Sequence, residues 1–503
     1  MCNMKIDSLL FSKNSDTFKI YDSSGLVDIK KIRDDVAETT EKLKSINLWP
    51  HENIAVICDN HSCFLSAIMS IISAGAVPVP VDPQISFSSL EDIFKKFNIR
   101  CAFIFGKRAK KIFNNNKICN HIFHYDNSKW ICPENATNNN EQQMFLDSDI
   151  TPAIILLTSG TADLMHKGVL ISHDSIFNNI ESIIEYMQPQ STESLYIAKS
   201  MSHISSVIGE LLMALTVGMT LYIYNPVVPY SVLYKRIIEC KPDYLVVNPT
   251  ILHYLTKYAE NEKELELPSI KGIYTCGGFS SATLINKARN TFANSKVYNM
   301  YGLTEAGPRV TSQTDELDNY TAGFAGKTIK SVSVKVINEY GEARTNEEGR
   351  IFVKSNALMI GYYGDPELTR NKFQNGWLVT GDVGYLNENQ ELFVSGRADD
   401  VVVRSGKNIN LNTVEDIISE IDEIRECIVF SIPDEVNQNK IICAYVKNSD
   451  KHLDATMVRE HCLKKLFPYE CPQQIVEWEN IPKTNTNKKS RKKASKFYRE
   501  STT

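Results

Sequence analysis

From Asn53 onward, short apolar runs alternate with helix-length segments, and this rhythm limits the fold more than any other feature. The run "NIAVICDN" reads as a buried strand, and "HSCFLSAIMSIISAGAVPVPVDP" as a helix followed by a short strand that ends at Pro83. The pattern returns in "AIILLTSG", "HDSIFNNIESIIEYM" and "SLYIAKS", then in "GMTLYIY", "SVLYKRIIEC", "YLVVNP", "ILHYLTKYAEN" and "GIYTCGG". Strands separated by helices point to α/β layers with largely parallel sheets. After about Ser331 the texture changes to "VSVKVINEYGE", "GRIFVKS" and "GWLVTGDVGYLNENQELFVSG", short alternating strands that predict a small antiparallel β unit over about 325–395. From Arg397 a further α+β pattern begins and ends in a basic tail. The expected fold class is therefore α/β, with a large N-terminal domain over 1–395 and a small α+β C-terminal domain over 396–503.

A chain of 503 residues is too long for a single compact core, which agrees with two or more units. Its formal charge of −5 provides no global field for nucleic acid or an anionic membrane, so no nucleic-acid partner is expected. The run "SAIMSIISAGAVPVPV" is broken by Gly75, Pro78 and Pro80 and is too short to span a bilayer as a helix. The opening "MCNMKIDSLLFSKNSD" lacks the charged-then-apolar order of a signal peptide, so a cytoplasmic location is expected. The 12 cysteines are scattered with no CxxC pair, which predicts reduced, mostly buried thiols, and no zinc site is expected.

The segment "LLTSGTADLMHKGVLISH" combines small residues, hydroxyls and Lys167, the ingredients of a phosphate-gripping loop. It is not the Walker A pattern, because no Gly precedes Lys167 and no Ser or Thr follows it. Read alone, it is equally an ordinary polar turn. Further on, "NMYGLTEAG" places an aromatic, a hydroxyl and a carboxylate in one turn, a set suited to an adenine face, a phosphate oxygen and Mg²⁺. "VTGDVG" offers a carboxylate for ribose hydroxyls, and "SGRADD" puts an Arg beside two Asp at the expected domain boundary.

Together with "VPVPVDP", "GYYGDPE" and "PKTNTNKKSRK", and in this order, the segments resemble the acyl-adenylate-forming superfamily of acyl-CoA synthetases, nonribosomal-peptide adenylation domains and luciferases. The resemblance implies ATP-dependent activation of a carboxylic acid to an acyl-AMP, then transfer to a thiol, with a mobile C-terminal lid. It implies that Thr158, Ser159, Gly160, Thr161 and Lys167 hold the pyrophosphate. It places Gly277, Gly278 and Gly302 against the nucleotide, stacks Tyr301 on adenine and bonds Asn299 to the adenine edge. Thr304 would touch the α-phosphate, Glu305 would hold Mg²⁺, and Asp382 with Arg397 would bind ribose. Asp399 matches the hinge, Gly406 the thiol tunnel, and Lys488 the catalytic lysine that bridges carboxylate and α-phosphate. In the first loop, Ala162 to His166 add one residue to the family pattern and lack its second Gly and its Pro, and Asn487 stands where Gly is usual.

The acid's pocket is expected around His203, which falls where acyl- and aryl-CoA ligases of this family carry a histidine. Amino-acid-activating relatives place an Asp at the position of Ser205 to bind the α-ammonium. A buried ammonium without a carboxylate partner is costly, so an acid lacking an α-amine is expected. Ile204, Val207, Ile208, Met300 and Leu303 are expected to line a slot for a fatty, branched or aryl acid, although each would equally suit ordinary core. The acceptor thiol is that of CoA or of a separate phosphopantetheinyl carrier protein, as in nonribosomal-peptide or polyketide biosynthesis. Two other readings stay open: a stand-alone adenylation protein loading an amino or unusual acid onto a carrier, and a catalytically weakened nucleotide-binding scaffold.

Overall fold

The computed structural model describes every residue except 1–3, 116–118, 127–128, 133–150, 159–165, 226–229, 262–269, 314–319, 405–406, 435–437, 449–452, 485–488 and 503. It is a mixed α/β molecule with a large N-terminal part and a small C-terminal one. The first βαβ unit forms as its pattern predicts. Strand Asn53–Cys58 is buried along its whole length, helix Cys63–Ser73 is apolar almost all round, and strand Val77–Pro80 returns parallel to the first. With Cys101–Phe105 and His121–Asp126 these strands form a parallel sheet, which the antiparallel strand Lys129–Ile131 completes.

The second sheet runs parallel from Lys19–Asp22 through Thr220–Ile223, Ser194–Ile197, Tyr244–Val247 and Gly272–Thr275 to Val297–Tyr301. The β unit expected over 325–395 is not set apart from it. Thr311–Ser312 and Phe324–Thr328 pair antiparallel beyond Val297–Tyr301, and Leu392–Arg397 continues the path to Trp377–Leu386, Gly349–Ser355 and Val332–Asn338. Edge-to-edge hydrogen bonding satisfies the strand groups that a separate unit would leave unpaired. One strand departs from the βα rhythm. Pro152–Thr158 pairs antiparallel with Lys167–Ser172, which in turn pairs with Gly361–Tyr362, so the strands flanking the loop segment are neighbours in a three-stranded sheet.

The apolar clusters that join these sheets draw on residues between Ile6 and Phe393 or Val394, and those of the C-terminal part on residues between Val402 and Tyr498. The latter pack around strands Ile424–Asp434 and Gln438–Lys447. The basic tail is not simply solvated, because Arg491–Thr502 is a helix whose Ala494 and Tyr498 are buried beside Ile428 and Phe430. Its lysines point outward while the apolar stripe packs on the sheet. Among the described residues no helix is long and apolar enough to cross a membrane.

Candidate active site

A large cleft lies between the sheet ends of the N-terminal part and the C-terminal part, lined on one side by Tyr301, Glu305 and Asp382 and on the other by Glu415, Asp416 and Lys489. Strand Val297–Tyr301 delivers Tyr301 to its edge, and the chain then folds back at once. A Cβ on Gly302 would sit 2.2 Å from the Pro308 carbonyl oxygen, so this return requires glycine. The Tyr301 hydroxyl donates to Asp382 Oδ2 at 2.6 Å. Asp382 and Arg397 are cross-strand partners, which brings Arg397 Nε to 3.4 Å from Asp382 Oδ1. Burial pushes the Asp382 carboxyl above the ordinary carboxylate range, with Arg397 and the Tyr301 hydroxyl pulling the other way.

Thr304 and Glu305 open the short turn Thr304–Ala306, and Glu305 Oε1 accepts a 2.7 Å bond from the Tyr362 hydroxyl. Lys167 Nζ lies 5.7 Å from the centre of the Tyr362 ring. Lys372 is half-buried, and desolvation lowers its ammonium below the ordinary lysine range; Glu305 offsets this, while Arg397 and Lys167 add to it. Lys167, Lys372 and Arg397 thus surround Glu305 and Asp382, an arrangement suited to a polyphosphate with its counter-ion. Mg²⁺ bound with a nucleotide takes one or two carboxylates together with phosphate oxygens, and Glu305 is the carboxylate that fits this demand. Tyr362 and Lys372 were not singled out from the sequence; "GYYGDPE" held the only signal for Tyr362, and no motif marks Lys372.

Other expected residues fall as follows. Thr158 ends its strand directly opposite Lys167, and both line the cleft, as do Gly277, Gly278, His203, Ile204, Ser205, Met300 and Leu303. Ser159, Gly160, Thr161, Gly406 and Lys488 lie outside the described residues. Asp399 is in the turn Ala398–Asp400, and its side chain is outside the description too. Asn299 lines the cleft, but its amide is committed: Nδ2 donates to the Tyr320 hydroxyl at 2.8 Å and to the Phe324 carbonyl at 2.7 Å, while Oδ1 accepts from Ser280 at 3.1 Å. Its Nδ2 could donate to adenine only by giving up one of those bonds, while Oδ1 keeps a second lone pair for an adenine N–H.

The apolar slot needs a larger correction. Val207 and Ile208 are 0% and 1% exposed, packed in the central core away from the cleft. They belong to Ser205–Leu212, a π-helix, whose wider turn changes which residues face inward. In their place the wall holds Lys199, whose Nζ donates to Ser205 Oγ at 2.6 Å and Glu210 Oε1 at 2.8 Å.

On the C-terminal side, Thr484 and Lys489 flank 485–488 and both line the cleft. Lys489 pairs with Glu415 at 2.7 Å, and Arg491 reaches Glu415 at 3.1 Å and Asp400 at 3.3 Å. Beside them, burial and the Glu415 charge push the Asp416 carboxyl from an ordinary 3.8 up to about 8. A carboxyl raised on folding contributes stability that is complete below its ordinary value and is lost as pH rises through the folded one. Thermal melts of wild type and Asp416→Asn from pH 5 to 9 are therefore expected to diverge in the variant's favour as pH rises. A constant offset would contradict the raised carboxyl.

Comparison with known proteins agrees with this geometry. Residues 28–363 match the AMP-binding enzyme family, and residues 413–488 match the AMP-binding enzyme C-terminal domain. The chain is 28% identical over 336 residues to the long-chain-fatty-acid–CoA ligase FadD13 of Mycobacterium tuberculosis, covering 66% of this chain and 65% of that one, so the match spans slightly under two thirds of that relative. It is 26% identical to the putative acyl–CoA ligase YdaB of Bacillus subtilis over 454 residues, 87% of each. The fold superposes on ATP-bound MatB from Rhodopseudomonas palustris with a TM-score of 0.84 at 18% identity, covering 99% of this chain and 100% of the other. With its large part and its C-terminal part both matched, and its carboxylates and cations gathered at the cleft between them, the chain belongs to the AMP-binding enzyme family.

Proposed function

We propose that the chain is an acid–thiol ligase that activates a carboxylic acid with ATP and passes the acyl group to a thiol. The acid's carboxylate oxygen bonds to the α-phosphorus of ATP while the bond to the departing phosphate oxygen breaks, releasing pyrophosphate. A thiolate sulfur then attacks the acyl carbon, and AMP leaves with the electron pair of the broken C–O bond. The observation that carries this reading is the convergence of Tyr301, Asp382 and Arg397 with Glu305, Lys167 and Lys372 on one cleft. Asp382 and Arg397 take the ribose, Tyr301 takes the adenine face, and Lys167 and Lys372 take the phosphates. Glu305 would hold Mg²⁺, which when bound would supply charge neutralisation for those phosphates.

Catalysis of this kind is positioning plus electrostatic stabilisation, with no protein nucleophile. Lys488 supplies the bridging charge, and Asp399 the pivot that exchanges the two half-reactions. The names of the curated relatives favour CoA as acceptor, with a carrier-protein phosphopantetheine as the alternative. The Lys199 ammonium, bonded to Ser205 where amino-acid activators hold an α-ammonium, supports an acid without an α-amine.

Acid-dependent exchange of labelled pyrophosphate into ATP, run across fatty, aryl, dicarboxylic, β-amino and α-amino acids, tests the proposal. Exchange with acids that lack an α-amine is expected. No exchange with any acid, alongside ATP binding by calorimetry, would instead favour the scaffold reading. Exchange confined to α-amino acids would sink the Ser205 argument.

A further inference from the structure

A buried charge cluster forms part of the cleft wall, and the adenylating chemistry makes no use of it. Lys199 follows strand Ser194–Ile197, and besides Ser205 and Glu210 its Nζ meets Cys276 Sγ at 3.5 Å. Arg309 Nη2 lies 3.8 Å from the same Glu210 oxygen. The Lys199, Glu210 and Arg309 side chains are 6%, 0% and 1% exposed. The site is built to hold these charges. Gly209 carries no side chain where a Cβ would lie 3.2 Å from Arg309 Nη2, and the π-helix presents Ser205 and Glu210 together.

Two cations share one carboxylate. Among the described residues of the cluster, Glu210 is the carboxylate that faces both cations. Glu210 Oε2 and Arg309 Nε are buried without a hydrogen-bond partner. The Cys276 thiol feels both cations: burial works against its thiolate, yet Lys199 and Arg309 outweigh burial and hold the thiol below its ordinary range. Lys199, Ser205 and Cys276 all line the cleft beside Met300 and Leu303, so the Lys199 ammonium borders the space assigned to the acid. An uncompensated buried charge is costly, and a hydrocarbon chain laid against it would leave that cost unrelieved.

We infer that this cluster is a specificity subsite for a second acidic group, so that the acid activated here carries, besides its reacting carboxylate, a second carboxylate that pairs with Lys199 between Ser205 and Cys276. The inference rests on the adenylating reading above and narrows its substrate to dicarboxylic acids. An entering carboxylate takes the place of the Cys276 sulfur at Lys199 Nζ and leaves the Ser205 and Glu210 bonds in place. The same cation repels an α-ammonium.

The test compares length-matched mono- and dicarboxylic acids, and benzoate with phthalate isomers, in pyrophosphate exchange. Wild type is expected to favour the dicarboxylate of the best-fitting pair by ~10²-fold in kcat/KM, the order of one charge-assisted hydrogen bond. Lys199→Met is expected to invert that preference and Lys199→Arg to restore part of it. Equal use of both acid types by wild type would overturn the inference, as would an equal loss on both in a Lys199→Met protein that melts like wild type. A second readout needs neither turnover nor a variant: iodoacetamide alkylation of Cys276 in the wild-type chain, mapped by mass spectrometry. Dicarboxylates are expected to slow alkylation and matched monoacids are not; identical rates with both would overturn the subsite. Absence of exchange with every acid counts against the adenylating reading, and the alkylation result still decides the subsite.

Discussion

Asp382→Ala is expected to lower kcat/KM for ATP by about 10²-fold or more in pyrophosphate exchange, chiefly through KM. Two charge-assisted contacts end at this carboxylate, one from the Tyr301 hydroxyl at 2.6 Å and one from Arg397 at 3.4 Å. Hydrogen bonds to charged groups contribute about 1.5–3 kcal/mol each, and the ribose contacts assigned to Asp382 are lost as well. The loss also spreads. Without Asp382, Tyr301 loses the partner that fixes its ring, and Arg397 loses the strand-opposed carboxylate that holds it near Lys372.

A pH profile separates this from general damage. Burial raises the Asp382 carboxyl, so its working carboxylate protonates at higher pH than an exposed aspartate, and the acid limb of kcat/KM for ATP is displaced upward. Asp382→Asn, which cannot titrate, is expected to lose that limb. A profile in Asp382→Asn that keeps the wild-type acid limb would show that another group sets it.

Glu210→Leu is expected to be the most destabilising conservative-volume change in the N-terminal part, by about 3–5 kcal/mol in urea unfolding. Glu210 is fully buried between Lys199 at 2.8 Å and Arg309 at 3.8 Å. Removing it leaves two buried cations facing each other without their carboxylate, whereas Lys199→Met leaves Glu210 paired with Arg309 and is expected to cost less. The double variant Glu210→Leu/Lys199→Met is expected to recover part of the loss, since the two residues act as a coupled pair. Strict additivity of the two single changes would mean that the 2.8 Å contact contributes nothing to folding.

The parallel-sheet architecture was legible because its signals are local. Each buried strand, such as Asn53–Cys58, is a continuous apolar run, and each helix such as His173–Met187 carries its own periodicity. The Tyr301 side of the cleft was legible for a related reason. Its residues come in short contiguous motifs, so Tyr301, Thr304 and Glu305 are already neighbours along the chain. The hairpin that holds Lys167 opposite Thr158 was less so, because a strand followed by a loop looks the same whether the next strand returns parallel or antiparallel.

Taken alone, then, the sequence determined the α/β rhythm and the motif-borne carboxylates and cations, since periodicity and short turns are properties of a few consecutive residues. Only the tertiary structure decided which side chains meet across long separations. Tyr362 reaches Glu305 across 57 positions, and both Asn299 amide hydrogens go to Tyr320 and Phe324. The apolar slot expected of Val207 and Ile208 gives way as well: both lie in the core, and Lys199 lines the cleft wall. A π-helix turns those two residues into the core, while Ser205 and Glu210 hold the Lys199 ammonium at the cleft. No single segment contains that charge balance, because it exists only where strand, helix and turn are packed together away from water.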